Sequence, residues 1–373
     1  MRVLAINCGS SSLKYALFEA EDAEERPIGR GVVERIGEVV PDHAAAIDAV
    51  FAEISRGGDF SPEVVGHRVV HGGAARSAPA LVDEALLASL RELVPFAPLH
   101  LPAEIMAMRA VAERWPGRPQ VACFDTAFHS TIPAVAHRYA LPENLFDQGV
   151  RRYGFHGLSY EYVVAAVGAD DLGRSVLAHL GGGASMVAVR DGRAVDTTMG
   201  FTPSGGLVMA TRAGDLDPGL FVYLVAHGYD AGSLDDLMNH RGGMLALSGS
   251  TADVQELLVR RSSDPRAALA LDVFAWNARK WVGAMAASVG GIDTLVFTGG
   301  IGEHAAPVRA SIASGLEHLG VRLDDARNAR GDAIISQDGS PCRVRVIRTD
   351  EERMVARHAR RLVAVQQPAE GRD

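Results

Sequence analysis

Three short apolar runs, each ending abruptly in a glycine-rich loop, are spread along this chain and limit the folds open to it. Residues 3–6 run into NCGSSSLK (7–14), residues 176–180 into HLGGGAS (179–185), and residues 295–297 into TGGIGE (298–303). A strand that stops at glycine can turn tightly and bring its N–H groups up to a ligand. Alternation resumes at Lys14-Tyr15-Ala16-Leu17-Phe18, so the first loop reads as the tip of a β-hairpin. Asn7, Ser10, Ser12 and Lys14 add an amide, hydroxyls and a cation there, which makes a cradle for an anion such as phosphate. One loop of this kind is a weak signal, because buried strand ends often carry glycine for packing alone. Three can serve one polyphosphate only if the fold gathers them from the whole length of the chain. None matches G-x-x-x-x-G-K-[ST], which excludes the common nucleotide fold with a single phosphate loop.

Between the loops lie the charged residues that chemistry on an anion requires. GHRVVHGG places Arg68 in an apolar run between His67 and His71, and RRYGFHG supplies Arg151, Arg152 and His156. TRAGDLDPG carries Arg212 ahead of Asp215 and Asp217; FDTAFH holds Asp125 and His129; RTDEE holds Asp350, Glu351 and Glu352. Taken singly, an Arg on a strand is more often half of a structural ion pair, and a His beside Phe155 a satisfied core residue. Their occurrence together with three anion-cradling loops favours a site.

At 373 residues and 47% hydrophobic content, the chain exceeds one ordinary domain and can bury two cores. A net charge of −9 with both signs interspersed argues against a nucleic-acid partner, so an anionic substrate needs positive charge concentrated locally. Cys8, Cys123 and Cys342 are widely spaced, show no metal-ligand pattern and read as reduced cytoplasmic thiols, with Cys8 a filler rather than a nucleophile. No signal peptide precedes the first strand, and the most apolar stretch (281–297) is broken by glycines and Asp293. The expectation is a soluble, cytoplasmic chain with no membrane partner. Helices are expected over 43–54, 83–93, 102–114, 267–289 and 351–365, strands over 64–70 and 121–124, and a frayed tail over 368–373.

Taken in order, NCGSSSLK, HRVVHGG, PLH (98–100), FDTAFH, RRYGFHG, DTTMGFTP, TRAGDLDPG, FTGGIGE and RTDEE resemble the acetate kinase family over nearly the whole chain. The resemblance implies an α/β fold of two similar domains, each a mixed five-stranded sheet flanked by helices, with the active site in the cleft between them. The domains would be 1–125 with a returning helix at 353–367, and 126–352. The implied reaction is reversible phosphoryl transfer from ATP to acetate with Mg²⁺, Mn²⁺ being a substitute, in a homodimer.

Carried over by resemblance, Arg68, Asp125, His156 and Arg212 are catalytic, with Arg68 also holding the acetate carboxylate. Val70, Leu99, His100 and Pro203 surround the acetate, and Asn7 and Glu351 hold the metal. Nucleotide contacts fall on Ser10, Ser12 and Lys14, on His179, Leu180, Gly181, Gly182 and Gly183, on Asp253, Val254 and Gln255, and on Gly300, Ile301, Gly302, Glu303 and His304. Departures from the family pattern gather on the donor side: Gly182 stands for Asn, His304 for Asn, Val254-Gln255 for Phe-Arg, and Ser204-Gly205 for Leu-Glu; Tyr160 also replaces a His. The acyl and phosphoryl-transfer residues are intact. Competing readings are an acyl kinase using pyrophosphate or another nucleoside triphosphate, one taking a longer fatty acid, and a non-catalytic actin-like nucleotide-binding protein.

Overall fold

A computed structural model describes residues 1–9, 12–21, 24–56 and 60–366. Ser10 and the expected tail at 368–373 lie outside the described residues. Two compact units emerge: residues 1–130 with 155–162 and the segment from Asp350 onward, and residues 131–154 with 163–349. Residues 155–162, which the sequence alone runs together with the second domain, lie in the first unit. The Gly157 N–H donates to the Asp125 carbonyl at 3.0 Å, and His129 Nε2 pairs with the Phe155 carbonyl at 2.9 Å.

The first sheet has β1 (Arg2–Cys8), β2 (Ser12–Glu21), β3 (Glu24–Glu34), β4 (Val64–Val69), β5 (Ala80–Leu81) and β6 (Gln120–Phe124), in the order β3-β2-β1-β4-β6-β5. β1 pairs antiparallel with β2 and parallel with β4, which in turn runs parallel to β6. The sixth strand, beyond the five expected, is the two-residue β5, which covers the outer edge of β6. β1 is apolar almost throughout because both of its faces are covered, as a central strand requires. β3 exposes alternate residues and carries Pro27 and Gly29, features suited to an edge.

Helix α1 (His43–Arg56) buries Ile47, Val50 and Ile54 on one face of the sheet, and α2 (Leu101–Arg114) lies beside it. The C-terminal helix Glu351–Gln366 covers the other face with Met354, Val355 and Ala359. It lies so close that a Cβ on Gly66 of β4 would come within 2.5 Å of Val355, so glycine is needed there. Glu25, buried on β3, binds Arg357 and Arg360 of that helix, each at 3.1 Å.

The second sheet repeats the plan. β7 (Ser175–Leu180), β8 (Ala184–Arg190), β9 (Arg193–Thr197), β10 (Thr294–Thr298) and β11 (Arg343–Val346) follow the order β11-β10-β7-β8-β9. Three antiparallel strands are again extended by two parallel ones, so β7, β10 and β11 match β1, β4 and β6. The unit also contains α3 (Pro218–Ala226), α4 (Val254–Arg260), α5 (Pro265–Val289) and α6 (Gly299–His304). α5 starts two residues before its expected start, because Asp264 caps the N–H groups of Arg266 and Ala267 and Pro265 occupies the first turn.

Three histidines near the first-unit motifs belong to the scaffold. His67 pairs with Gln120 at 2.8 Å, His71 packs against Phe96 and Phe155, and His129 is held by the Phe155 carbonyl. Burial lowers each imidazole to about 4, so all three are neutral at pH 7. Among the described residues, no helix is long and apolar enough to cross a membrane.

Candidate active site

Chemistry in the first unit collects at the C-terminal ends of its parallel strands. Asn7 closes β1, Arg68 stands near the end of β4 in register with Cys123, and Asp125 follows β6 directly. Ligands of α/β sheets bind at this edge, where loops and backbone N–H groups face outward. Arg68 Nη2 donates to Asp125 Oδ2 at 2.5 Å, and Nε lies 3.2 and 3.1 Å from the two carboxylate oxygens. Nη1 donates to Asn7 Oδ1 at 2.9 Å, while Glu351 Oε2 stands 3.6 Å from Nε.

Asp125 is fully buried and Arg68 is nearly so. Burial pulls the guanidinium's pKa down, but Asp125 and then Glu351 outweigh it and raise Arg68 above its ordinary pKa. Asn7 Nδ2 faces two carboxylates, Glu351 Oε2 and Glu352 Oε1, each at 3.3 Å. Asp350 takes a different part: it caps the Arg353 N–H at 3.1 Å and pairs with Arg30 at 2.5 Å.

His156 sits at φ +57°, a conformation that a non-glycine residue holds only when its surroundings impose it. The neighbouring Gly157 N–H bond to Asp125 draws this turn to the end of β6. Val70 is buried one residue beyond β4, and Leu99 and His100 lead into α2.

Glu104, which the sequence reading passes over, is buried in the first turn of α2, with both oxygens 3.2 Å from the Val70 N–H. Glutamate in a first helical turn is so ordinary that no signal marked it. Burial pushes its pKa up to about 8, against opposing pulls from Arg68 and the Val70 N–H. Cys8 nearby is raised to about 12 by burial and then by Glu104, so it is a thiol and not a nucleophile at pH 7.

The second unit gathers residues from several separate segments around one cavity of about 370 Å³. Gly181 and Gly182 after β7, Gly300, Ile301 and His304 of α6, and Asp253, Val254 and Gln255 at the start of α4 all line it. Asp253 also caps α4 by accepting from the Glu256 N–H at 3.0 Å, and Gln255 is exposed. Leu180 is buried in β7, His179 precedes it and is half-buried, and Gly183 leads into β8.

Gly302 and Glu303 support the cavity wall without lining it. Gly302 is buried over Phe297, and Glu303 Oε1 accepts from Gly299 N and Thr349 N at 3.0 and 3.2 Å. Gly299 has φ +75°, and a Cβ there would lie 2.8 Å from the Leu180 carbonyl. The two glycine loops therefore touch backbone to backbone. Arg309, only 1% exposed, binds the Gly302 and Glu303 carbonyls at 2.9 Å each and fixes the end of α6.

Arg212 Nη1 donates to the Pro203 carbonyl at 3.0 Å, which joins two expected site residues. Their loop is bonded to the first of these glycine loops through Ala210 N to Gly182 O at 3.1 Å. Arg152, by contrast, is spent on the carbonyls of Ala136, Thr197 and Thr198. Ser12 and Lys14 stand on β2 of the first unit. Among the described residues, no cluster of three or more His, Cys, Asp or Glu side chains forms a metal site by itself.

Residues 2–357 match the model of the Acetokinase family. The chain is 47% identical to an acetate kinase of Micrococcus luteus, over 96% of this chain and 98% of that one. Among solved structures, it is similar to Porphyromonas gingivalis acetate kinase, with TM-score 0.87, 36% identity, and 97% and 99% of the two chains covered. It is also similar to a propionate kinase from Francisella tularensis, with TM-score 0.87, 33% identity, and 96% and 99% covered.

Because burial raises Glu104 above the ordinary carboxyl value of 4.5 to about 8, ionising it in the folded chain costs stability. Both states are protonated below pH 4.5, and the penalty grows as pH rises toward 8. Glu104→Gln keeps an acceptor for Val70 and should match the parent near pH 4.5, then exceed it by ~1 kcal/mol or more at pH 9. Urea denaturation of both proteins at pH 5, 7 and 9 checks this; a pH-independent difference would refute the assignment.

Proposed function

The chain belongs to the acetokinase family and catalyses reversible phosphoryl transfer between ATP and acetate; we propose how its own residues divide that work. Acetate is ionised at neutral pH, its pKa being about that of a glutamate, ~4.3, so no general base is needed. A carboxylate oxygen attacks the γ-phosphorus in line, the bond from that phosphorus to the bridging oxygen breaks, and the electron pair leaves on ADP. No proton has to move. The obstacle is anion against anion, which makes catalysis a matter of positioning and charge neutralisation.

The observation that carries this reading is Arg68, fixed at the end of β4 by the buried Asp125 at 2.5 Å. Its planar fork suits both a carboxylate and phosphoryl oxygens, and Asp125 orients it without taking a proton. Arg212, braced on the Pro203 carbonyl, is the second guanidinium, and His156 donates to phosphoryl oxygens from its imposed turn. Val70, Leu99 and His100 of the first unit and Pro203 of the second are the residues we assign to the acetate. A buried Val70 favours acetate, although one methylene is worth only about 1–3 kcal/mol, so propionate is a slower substrate.

Asn7 lies against Glu351 and Glu352, and an amide oxygen and carboxylates are donors of the hard kind that a divalent ion takes. Asn7 and Glu351 would hold Mg²⁺, or Mn²⁺ in its place. When bound, the ion neutralises phosphate charge. In the second unit, the cavity lined by Gly181, Gly182, Gln255 and Gly300 takes the nucleoside, and Ser12 and Lys14, on β2 of the first unit, are the residues we assign to its phosphates. The three cysteines are buried and free, as suits a cytoplasmic enzyme.

Arg68→Ala and Arg212→Ala should each lower kcat by about a hundredfold to a thousandfold in a folded protein, with Lys rescuing poorly. Near-normal turnover in folded Arg212→Ala, measured by acetyl phosphate formation, would remove that residue from the reaction.

Donor choice rests on an exposed Gln255 at the cavity wall and a Gly182 with open space around its Cβ position. GTP should therefore support activity within roughly tenfold of ATP, a gap of ~1.4 kcal/mol, and Gln255→Arg should widen that gap. Turnover with pyrophosphate and none with ATP, in a donor panel, would reverse this reading.

Assembly as a homodimer is supported by α3, whose Phe221, Val222, Tyr223 and Val225 are 38, 73, 58 and 57% exposed. Light scattering at micromolar concentration should give a dimer for the parent and a monomer for Val222→Lys. A monomeric, fully active parent would contradict the assignment.

A further inference from the structure

A second cavity, of about 230 Å³, opens on the outer face of α5, and none of the residues assigned to the reaction lines it. Trp276, Arg279, Lys280 and Gly283 lie along that face of the helix, and Leu316 and His318 close the opposite side. Leu316 is buried and forms an apolar floor, whereas Trp276 is 62% exposed, a large aromatic surface left open to solvent.

The guanidinium of Arg279 stands 5.7 Å from the centre of the Trp276 ring. Its Nε and Nη2 hold the carbonyls of Ile312 and Ser311, which fixes the group in place. Nη1 points toward Gly315 and has no hydrogen-bond partner among the described residues. No carboxylate lies within ion-pair distance of Arg279, Lys280 or His318 among the described residues. Glu317 lies near enough to feel Arg279 and His318, but its carboxylate accepts from the Gly315 N–H at 3.0 Å.

Gly283 is the second observation. It lies inside a 25-residue helix, where glycine is less favourable than any residue but proline. A Cβ at this position would meet no atom within 4 Å, so packing within the chain does not require the glycine. Its absence of a side chain keeps the cavity open.

We propose that this cavity is a binding site for a small planar organic anion, an aromatic carboxylate in chemical class, stacked on Trp276 and paired with Lys280 and the open edge of Arg279. A ring presents a π-face to the indole, and its carboxylate meets two cations that have no carboxylate within ion-pair distance among the described residues. The volume, below the ~300 Å³ at which drug-sized sites begin, suits a ligand of one or two rings.

Calorimetric titration of the full chain with 2-naphthoate, under saturating ADP to keep the nucleotide cavity filled, tests the site. Binding should be submillimolar, at least tenfold weaker for the neutral 2-naphthamide, and at least tenfold weaker in both Gly283→Leu and Lys280→Ala. Gly283→Leu should keep full acetate kinase activity and melt no lower than the parent, since leucine is the better helix former. Undiminished binding to folded Gly283→Leu, or no binding to the parent at millimolar probe, would overturn the proposal. So would self-association through Trp276 without probe binding, which would make a second copy of the chain the occupant.

Discussion

The Arg68–Asp125 pair is the interaction around which the first unit's chemistry is arranged. Asp125 is fully buried, and its own N–H donates to the Val69 carbonyl at 2.9 Å, so the carboxylate is fixed to the sheet. A guanidinium in such a place is tolerable only while paired; removing one partner of a buried pair typically costs about 3–5 kcal/mol. Pairing with Asp125 fixes the plane of the fork, and Asn7 and Glu351 then take up positions around it. The carbonyl of Asp125 also anchors Gly157 and hence the strained turn of His156. Asp125 thus sets the place of Arg68 through its side chain and of the His156 turn through its backbone carbonyl.

The second unit solves a different problem with the same strand plan. Its edge has to present backbone N–H groups rather than a charged fork, and glycine at strand ends provides them. Such loops need bracing, because glycine surrenders more freedom on folding than any other residue. Glu303 supplies it from below by tying Gly299 to Thr349, and Arg309 supplies it by holding the last carbonyls of α6. Arg309 has no carboxylate partner in this set, only carbonyl groups and the Asn328 amide oxygen, so its charge is dispersed over dipoles. The cavity wall is therefore held from within the second unit by groups that line none of it.

Charged and titratable residues near a site divide into those that act and those that hold, and burial with satisfied bonds separates them. His67, His71 and His129 sit within the most distinctive motifs, yet each is enclosed and neutral at pH 7. Arg152 is consumed by three carbonyls. Glu104 reverses the pattern: an unremarkable helical glutamate in sequence, it turns inward onto the Val70 backbone and into the electrostatic field of Arg68.

Local sequence determined what local physics governs. Apolar runs ending in glycine specified the strand ends at Cys8, Leu180 and Thr298, and helical periodicity specified the long helix α5 to within two residues of its start. The ordered set of motifs also specified the family, and with it the residue types that meet acetate and phosphate. Only the tertiary structure decided which of those residues are neighbours. Asn7, Arg68, Asp125 and Glu351 come together because three parallel strands end at one edge and the C-terminal helix packs close over Gly66. Contacts between residues so distant in sequence leave no periodicity to read. The depth at which Glu104 is buried and the open space beside Gly283 were equally invisible, because burial belongs to the packed chain and not to any residue in it.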